Sequence, residues 1–308
     1  MLIRLLVLFI TLVMVGCASH KPQGYVKLID KSSTLPENAQ LYVKVPEGIA
    51  TFIGKAPDYR GKTQSSAMLY PAITPVDFFA SVIAHAAVSE SLRDSHKNSL
   101  QSVADKVIEP YRAYSDSLKN KNLVNQLKEI ALSRGFTLNK YENSQHDEDL
   151  ILDITPIYLL NKTEETLILR NQFLVYKKKY KSKKERKKRL LFQNQIEVFS
   201  GATIQGSAQE YWLNNDGENL KNEMNQLFSE SLNLIAERIS SKAKDTNVKY
   251  KNYRYNDGDS VVFERAIALS ESCEKVIFKT LRGWLKSIPA SRIVNQTECP
   301  KQPIDAVL

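Results

Sequence analysis

The residues of this chain best suited to chemistry are its three cysteines and ten basic side chains packed into thirteen consecutive positions. Cys17 follows Gly16 at the end of an apolar stretch, which would place its thiol at a membrane surface, open to acylation. Cys273 and Cys299 lie near the other end of the chain. An exported pair of thiols is expected to form a disulfide. Closing a loop of that length stabilises a fold by about 3–4 kcal/mol in the chain-entropy account. Two thiolates without a nearby histidine are too few to hold zinc, so no metal is expected there.

The basic run consists of Lys177, Lys178, Lys179, Lys181, Lys183, Lys184, Arg186, Lys187, Lys188 and Arg189, with Glu185 as its one acid. Its chemistry is contact with anions, either an anionic lipid surface (phospholipid head groups or lipopolysaccharide phosphates) or an acidic protein of an envelope complex. Each such residue near a negative membrane contributes on the order of 1 kcal/mol, screened by salt. The plainer reading is a solvated hairpin loop. Nucleic acid fits the charge, but Tyr180 is the single aromatic in the run and an exported protein meets little of it, so no nucleic-acid partner is expected.

Other constellations carry less. His85 and His96 could share a helical face, yet no carboxylate or cysteine completes a ligand set. Ser241/Lys244 and Ser272/Lys275 have the Ser-x-x-Lys spacing without the motifs that accompany it in enzymes. Asp147, Glu148 and Asp149 form a short acidic cluster that reads as a solvated turn. There is no nucleophile elbow, no zinc-protease helix and no phosphate-cradling glycine loop. The expectation is no catalytic residue, no metal and no cofactor, hence a protein that is not an enzyme.

The formal charge of +9 sits wholly in the basic run, since the run contributes a net +9 and the other 295 residues balance. The chain is therefore neutral apart from one patch. An apolar content of 43% over 308 residues is enough for one large or two small cores.

At the amino terminus, Arg4 precedes a run from Leu5 to Val15 broken only by Thr11. Eleven residues make about 16 Å of helix, roughly half the hydrocarbon core, so the run suits a cleaved export signal better than a membrane span. Met14-Val15-Gly16-Cys17 resembles the lipobox of bacterial lipoproteins, with Met14 where leucine is usual. The resemblance implies cleavage before Cys17, diacylation of its thiol (palmitate among the chains) and a lipid-anchored protein. An ordinary secretory signal ending near a cysteine is the alternative. No aspartate follows at position 18 or 19, which by the same resemblance implies the outer membrane, with the folded part facing the periplasm.

The elements that position these residues follow from periodicity. Residues 1–16 are expected as signal, 17–40 as tether, 41–245 as an α/β (α+β) domain with the basic loop 177–189, and 246–308 as a β-rich, disulfide-bonded module. Strands are expected at 41–45, from Phe136, and over 150–160, 166–176 and 190–199, with the basic run at the hairpin tip between the last two. Pro156 suggests an edge or a bulge. Helices are expected from Thr74, with a polar stretch at 89–99 that can interrupt the helix before a segment at 100–108 closed by Pro110, over 120–134, and from Asn215/Asp216 to about Ser241. Further strands are expected at 248–255, 260–269 and 275–281, with a turn at 256–259.

The order helix, strand, hairpin strands, helix over 120–239, with Ser133-Arg134-Gly135-Phe136 before a strand, resembles the small α/β domains of periplasmic assembly lipoproteins. Examples are the curli-secretion lipoprotein, lipoprotein activators of penicillin-binding proteins and the amino-terminal domain of the translocation protein TolB. That resemblance implies an architecture and no residue roles. The expected function is a non-catalytic envelope assembly or interaction factor. The alternatives are a lipid- or lipopolysaccharide-handling protein, marked by an apolar pocket beneath the sheet, and an envelope hydrolase built around His85 or His96.

Overall fold

The computed structural model describes residues 26–31, 40–45, 51–56, 98–115, 137–144, 146, 149–178, 190–202, 204–240 and 249–294. Cys17, Cys299, His85, His96, the acidic residues 147 and 148, the Ser241/Lys244 pair, residues 179–189 of the basic run and the expected helices at 74–97 and 120–134 lie outside them.

Three long strands form the centre: β5 (Leu150–Leu160), β6 (Leu167–Lys177) and β7 (Leu190–Phe199). They pair antiparallel in one meander, β5 with β6 along its full length and β6 with β7. Their nearly continuous apolar sequences mean that both faces are covered. On one edge of β5 lie β2 (Gln40–Lys44) and β3 (Thr51–Gly54), end to end and both parallel to it, with β4 (Thr137–Lys140) parallel to β2. Pro156 therefore stands inside the sheet and not at an edge. The expected edge fails, yet the reason behind it holds. β2 pairs with β5 only through Asp153 and β3 begins at Ile157, so the missing N–H of Pro156 falls in the gap between two partners.

On the other side, β7 pairs antiparallel with the short β1 (Ile29–Asp30) at one end and parallel with β11 (Leu285–Pro289) further along. From β11 the sheet continues antiparallel through β10 (Lys275–Thr280), β9 (Ser260–Glu271) and β8 (Tyr250–Asp257). Among the described residues this is one mixed eleven-stranded sheet, in order β4-β2-β5-β6-β7-β11-β10-β9-β8, with β1 and β3 beside it. With its helices it makes an α+β fold. The β-rich carboxy-terminal part takes the form of strands that extend this sheet. Gly258, at φ +63°, supplies the left-handed residue of the β8–β9 turn.

Short helical pieces sit at the β2–β3 side. Residues 98–104 are helical and pass into a 3-10 stretch, Asp105–Tyr111, and then α1 (Arg112–Ser115). Pro110 lies within the 3-10 stretch and does not close the helix as expected.

α2 (Ala208–Ser240) covers one face of β5–β7. It is longer than expected because seven residues, 208–214, precede the expected start at Asn215. Asn214 is extended, and Asn215, Asp216 and Gly217 adopt left-handed φ values of 49°, 56° and 73°, which break the helix into two parts. The first part buries Trp212, whose indole donates to the Glu164 carbonyl at 2.6 Å. The second part sends Leu220, Met224, Leu227, Phe228 and Leu232 into the sheet. Full burial of each such side chain contributes ~1.5–3 kcal/mol.

The opposite face is covered by the sheet itself. Leu159, Ile168 and Phe199 of β5–β7 pack against Tyr253, Tyr255, Ala266, Val276, Phe278 and Ile288 of β8–β11. Phe199 meets Tyr255 edge-on at 5.5 Å, and Tyr253 stacks on Phe278 at 4.6 Å. The carboxy-terminal strands thus fold back over the centre as a partly closed curl. Arg292 ties the last described turn to the β5–β6 connection, donating to Thr166 Oγ1 at 2.8 Å and to the carbonyls of Glu165 and Ser200 at 2.9 and 3.0 Å.

Candidate functional site

Two groups of charged residues take definite positions in this fold, one at the base of the basic hairpin and one inside the curl.

β6 ends at Lys177 and its antiparallel partner β7 begins at Leu190, so of the basic run the described residues are Lys177 and Lys178. The first two members belong to the folded body. Lys177 is the last residue of β6 and pairs with Leu150. Lys178 donates its backbone N–H to the Asp149 carbonyl at 2.9 Å and its Nζ to the Ser144 carbonyl at 2.6 Å. Its ammonium also lies 5.9 Å from the Tyr141 ring, and Lys44 Nζ approaches the same ring at 5.6 Å. Lys31 reaches this end as well, since its N–H donates to the Leu191 carbonyl at 2.8 Å. The fold therefore brings Lys31, just past the end of β1, and Lys44, at the end of β2, beside Lys177 and Lys178. Neither addition is visible in a linear reading, because long-range pairing brings them there.

Asp149, the one described member of the acidic cluster, and the described Ser-x-x-Lys pair each lie in a hydrogen-bonded turn. Asp149 accepts from Ser144 Oγ at 3.0 Å and from the His146 N–H at 2.9 Å. Ser272 Oγ accepts from the N–H groups of Glu274 and Lys275, while Lys275 Nζ points to Glu230 on α2 at 3.1 Å. The hydroxyl and the amine face different partners, so they form no dyad. Among the described residues there is no group of three or more His, Cys, Asp or Glu placed to hold a metal ion. Cys273 is exposed in the β9–β10 turn.

Inside the curl lies a charged row that periodicity does not announce. Arg170, Glu197 and Lys286 are register partners across β6, β7 and β11. Arg170 Nε donates to Glu197 Oε1 at 2.8 Å, and Lys286 Nζ lies 3.3 Å from Glu197 Oε2. Lys286 also reaches Glu264 Oε2 and the Tyr255 hydroxyl, both at 3.0 Å. Gln195 Nε2 donates to Glu197 Oε1 at 3.2 Å. Nearby, Lys55 pairs with the buried Asp257, joining the end of β3 to the end of β8.

Burial alone would raise the Glu197 carboxyl, but Lys286, Arg170 and Lys55 outweigh it and hold it down at about 2. Burial alone would lower the Lys286 ammonium, but Glu197, Tyr255 and Glu264 raise it above its ordinary value. A lysine that serves as a nucleophile needs a lowered pKa. This one is held charged on both sides, and its chemistry is that of an electrostatic clamp between the two parts of the sheet. The sequence signal was a charged residue at an inward position of an apolar strand, as Glu197 is in β7 and Lys286 in β11.

Compared with protein-family models, curated proteins and solved structures, the chain matches none.

Proposed function

We propose that this protein is an outer-membrane lipoprotein, anchored through Cys17, whose folded part faces the periplasm and serves as a non-catalytic envelope assembly or interaction factor. The observation that carries the reading is the mounting of the basic run. The run is the connection of the two central strands, with Lys177 and Lys178 fixed at its base and Lys31 and Lys44 beside it. An anionic partner, either a lipid surface or an acidic envelope protein, complements this charge.

The lipid-carrier reading draws less support. The space beneath the central strands is filled by α2, with Trp212, Leu220, Met224 and Phe228 fully buried there. A carrier needs that space for its ligand.

Cys273 is assigned Cys299 as its disulfide partner, which leaves Cys17 for the lipid. The Ala290 N–H donates to the Glu274 carbonyl at 2.8 Å, so the chain passes beside Cys273 shortly before it reaches Cys299. The intervening residues span up to about 30 Å when extended, ample for closure.

The test is neutralisation of the hairpin in cells, with Lys181, Lys183, Lys184, Lys187 and Lys188 changed to glutamine. The protein is expected to stay membrane-bound and folded while losing its co-purifying partner. Retention of that partner would contradict the reading.

A further inference from the structure

The two faces of the β8–β9 hairpin differ in charge in a way that points to a second contact surface. All three carboxylates within these strands serve the inner side: Asp257 pairs with Lys55, Glu264 with Lys286, and Glu271 with Lys251 and the Tyr253 hydroxyl. The outer side shows the opposite balance. Register places Tyr250 opposite Ile267, Asn252 opposite Arg265, Arg254 opposite Phe263 and Asn256 opposite Val261, so these side chains share one face. Its charged members are Arg254 and Arg265, with no carboxylate among these eight residues. Neither guanidinium makes an ion pair among the described residues. Each rests on an aromatic ring instead, Arg254 5.0 Å from the centre of Phe263 and Arg265 5.5 Å from that of Tyr250.

The same hairpin holds four of the six large hydrophobic side chains that are exposed among the described residues: Tyr250, Val261, Phe263 and Leu269. Phe263 is 69% exposed and Tyr250 50%. Leaving a phenylalanine and a tyrosine in water forgoes burial that a folded chain can ordinarily arrange. Because the hairpin folds back over the central strands, this face is the convex outside of the curl. A convex face offers no pocket for a small molecule but suits a flat, deformable surface.

We propose that the outer face of β8–β9 docks on an anionic phospholipid bilayer, with Arg254 and Arg265 on head-group phosphates and Tyr250 and Phe263 at the level where aromatic rings meet the acyl boundary. Charge complementarity selects this occupant, since two guanidiniums that pair with no acid among the described residues call for phosphate. Aromatic and basic side chains interleaved on one face are the composition of an interfacial contact. The inference stands apart from the basic hairpin and from the lipid anchor, because it uses neither.

The test is Phe263→Trp in the full chain, mixed with or reconstituted into vesicles of phosphatidylethanolamine and phosphatidylglycerol that carry brominated lipid. Val103→Trp, at an exposed site on another element, is the comparator, and the native tryptophans set the baseline. Tryptophan at 263 is expected to shift to the blue and to be quenched by the brominated lipid, and tryptophan at 103 is not. Phosphatidylcholine vesicles should give much weaker quenching. Adding Arg254→Gln and Arg265→Gln should lower the docked-to-undocked ratio about fivefold per arginine. Equal quenching at 263 and 103, or indifference to both arginines, would overturn the proposal. So would protection of tryptophan 263 from aqueous iodide by a bound protein in place of lipid.

Discussion

Lys286 and Glu197 face each other in register across the parallel junction of β7 with β11, with ammonium and carboxylate 3.3 Å apart and both nearly out of water. This pair joins the carboxy-terminal strands to the central meander. Arg170 and Glu264 extend it on either side to a neutral row of four charges. Such a row is satisfied only while all its members are present.

Removing one member should therefore cost more than its contacts suggest. Lys286→Met leaves the buried Glu197 and the half-buried Glu264 beside a lost cation and should destabilise the fold by on the order of 3–5 kcal/mol. The double variant Lys286→Met/Glu197→Gln should be less destabilised than the sum of its parts. Urea unfolding of the singles and the double measures this, and strict additivity would mean that the two residues are not coupled.

The same row sets an acid limb. Glu197 is held at about 2 against an ordinary 4.5, so its stabilising contribution is fully present above about pH 4.5 and is lost as pH falls towards 2. Stability should drop over that window, and Glu197→Gln should flatten the drop while lowering stability at neutral pH. Lys286, raised above its ordinary 10.5, contributes its share at every pH below that value. Thermal melts between pH 2 and 7 decide the matter.

Gly54 should resist substitution. Any Cβ there would run into the carbonyl of Ala104, against which β3 packs. The strand is fixed at that point by the Gly54 N–H donating to Asp105 Oδ1 at 2.9 Å and by Gln101 Nε2 donating to the Gly54 carbonyl at 2.8 Å. Gly54→Ala should destabilise by about 1–3 kcal/mol through overpacking. Chemical denaturation that finds it neutral would mean that the contact is loose.

The chain announced its central strands because β5, β6 and β7 are buried on both faces and read as unbroken apolar runs. It did not announce β11, since Lys286 and Ser287 interrupt the apolar pattern. Both are buried, and their partners, Glu197, Glu264 and Glu230, come from distant elements. The start of α2 was missed because Asn214–Gly217 has the composition of a helix beginning, yet here it is a left-handed break inside a longer segment. Pro156 suggests an edge or a bulge in the sequence, whereas in the sheet it marks a gap between two end-to-end partners. The strands that flank the basic run were legible from local pattern, whereas Lys31, Lys44 and the arginines of β8–β9 take their places through pairing that no local window contains.

The disulfide should be directly measurable. In native protein Cys273 and Cys299 should resist alkylation until reductant is added, and Cys299→Ser should free Cys273. Alkylation of both in unreduced native protein would remove the staple.

Lipid attachment has an equally direct readout. Cys17→Ala should abolish palmitate labelling and release or mislocalise the protein. Undiminished labelling of that variant would remove the lipoprotein reading.

The most direct test of the proposed function is photo-crosslinking in cells from a probe at position 180, within the basic connection of β6 and β7. The account predicts a dominant adduct with an anionic partner, whether an acidic envelope protein or phosphate-bearing lipid, that disappears when the surrounding lysines are neutralised. Absence of any adduct, or adducts that survive neutralisation, would contradict it.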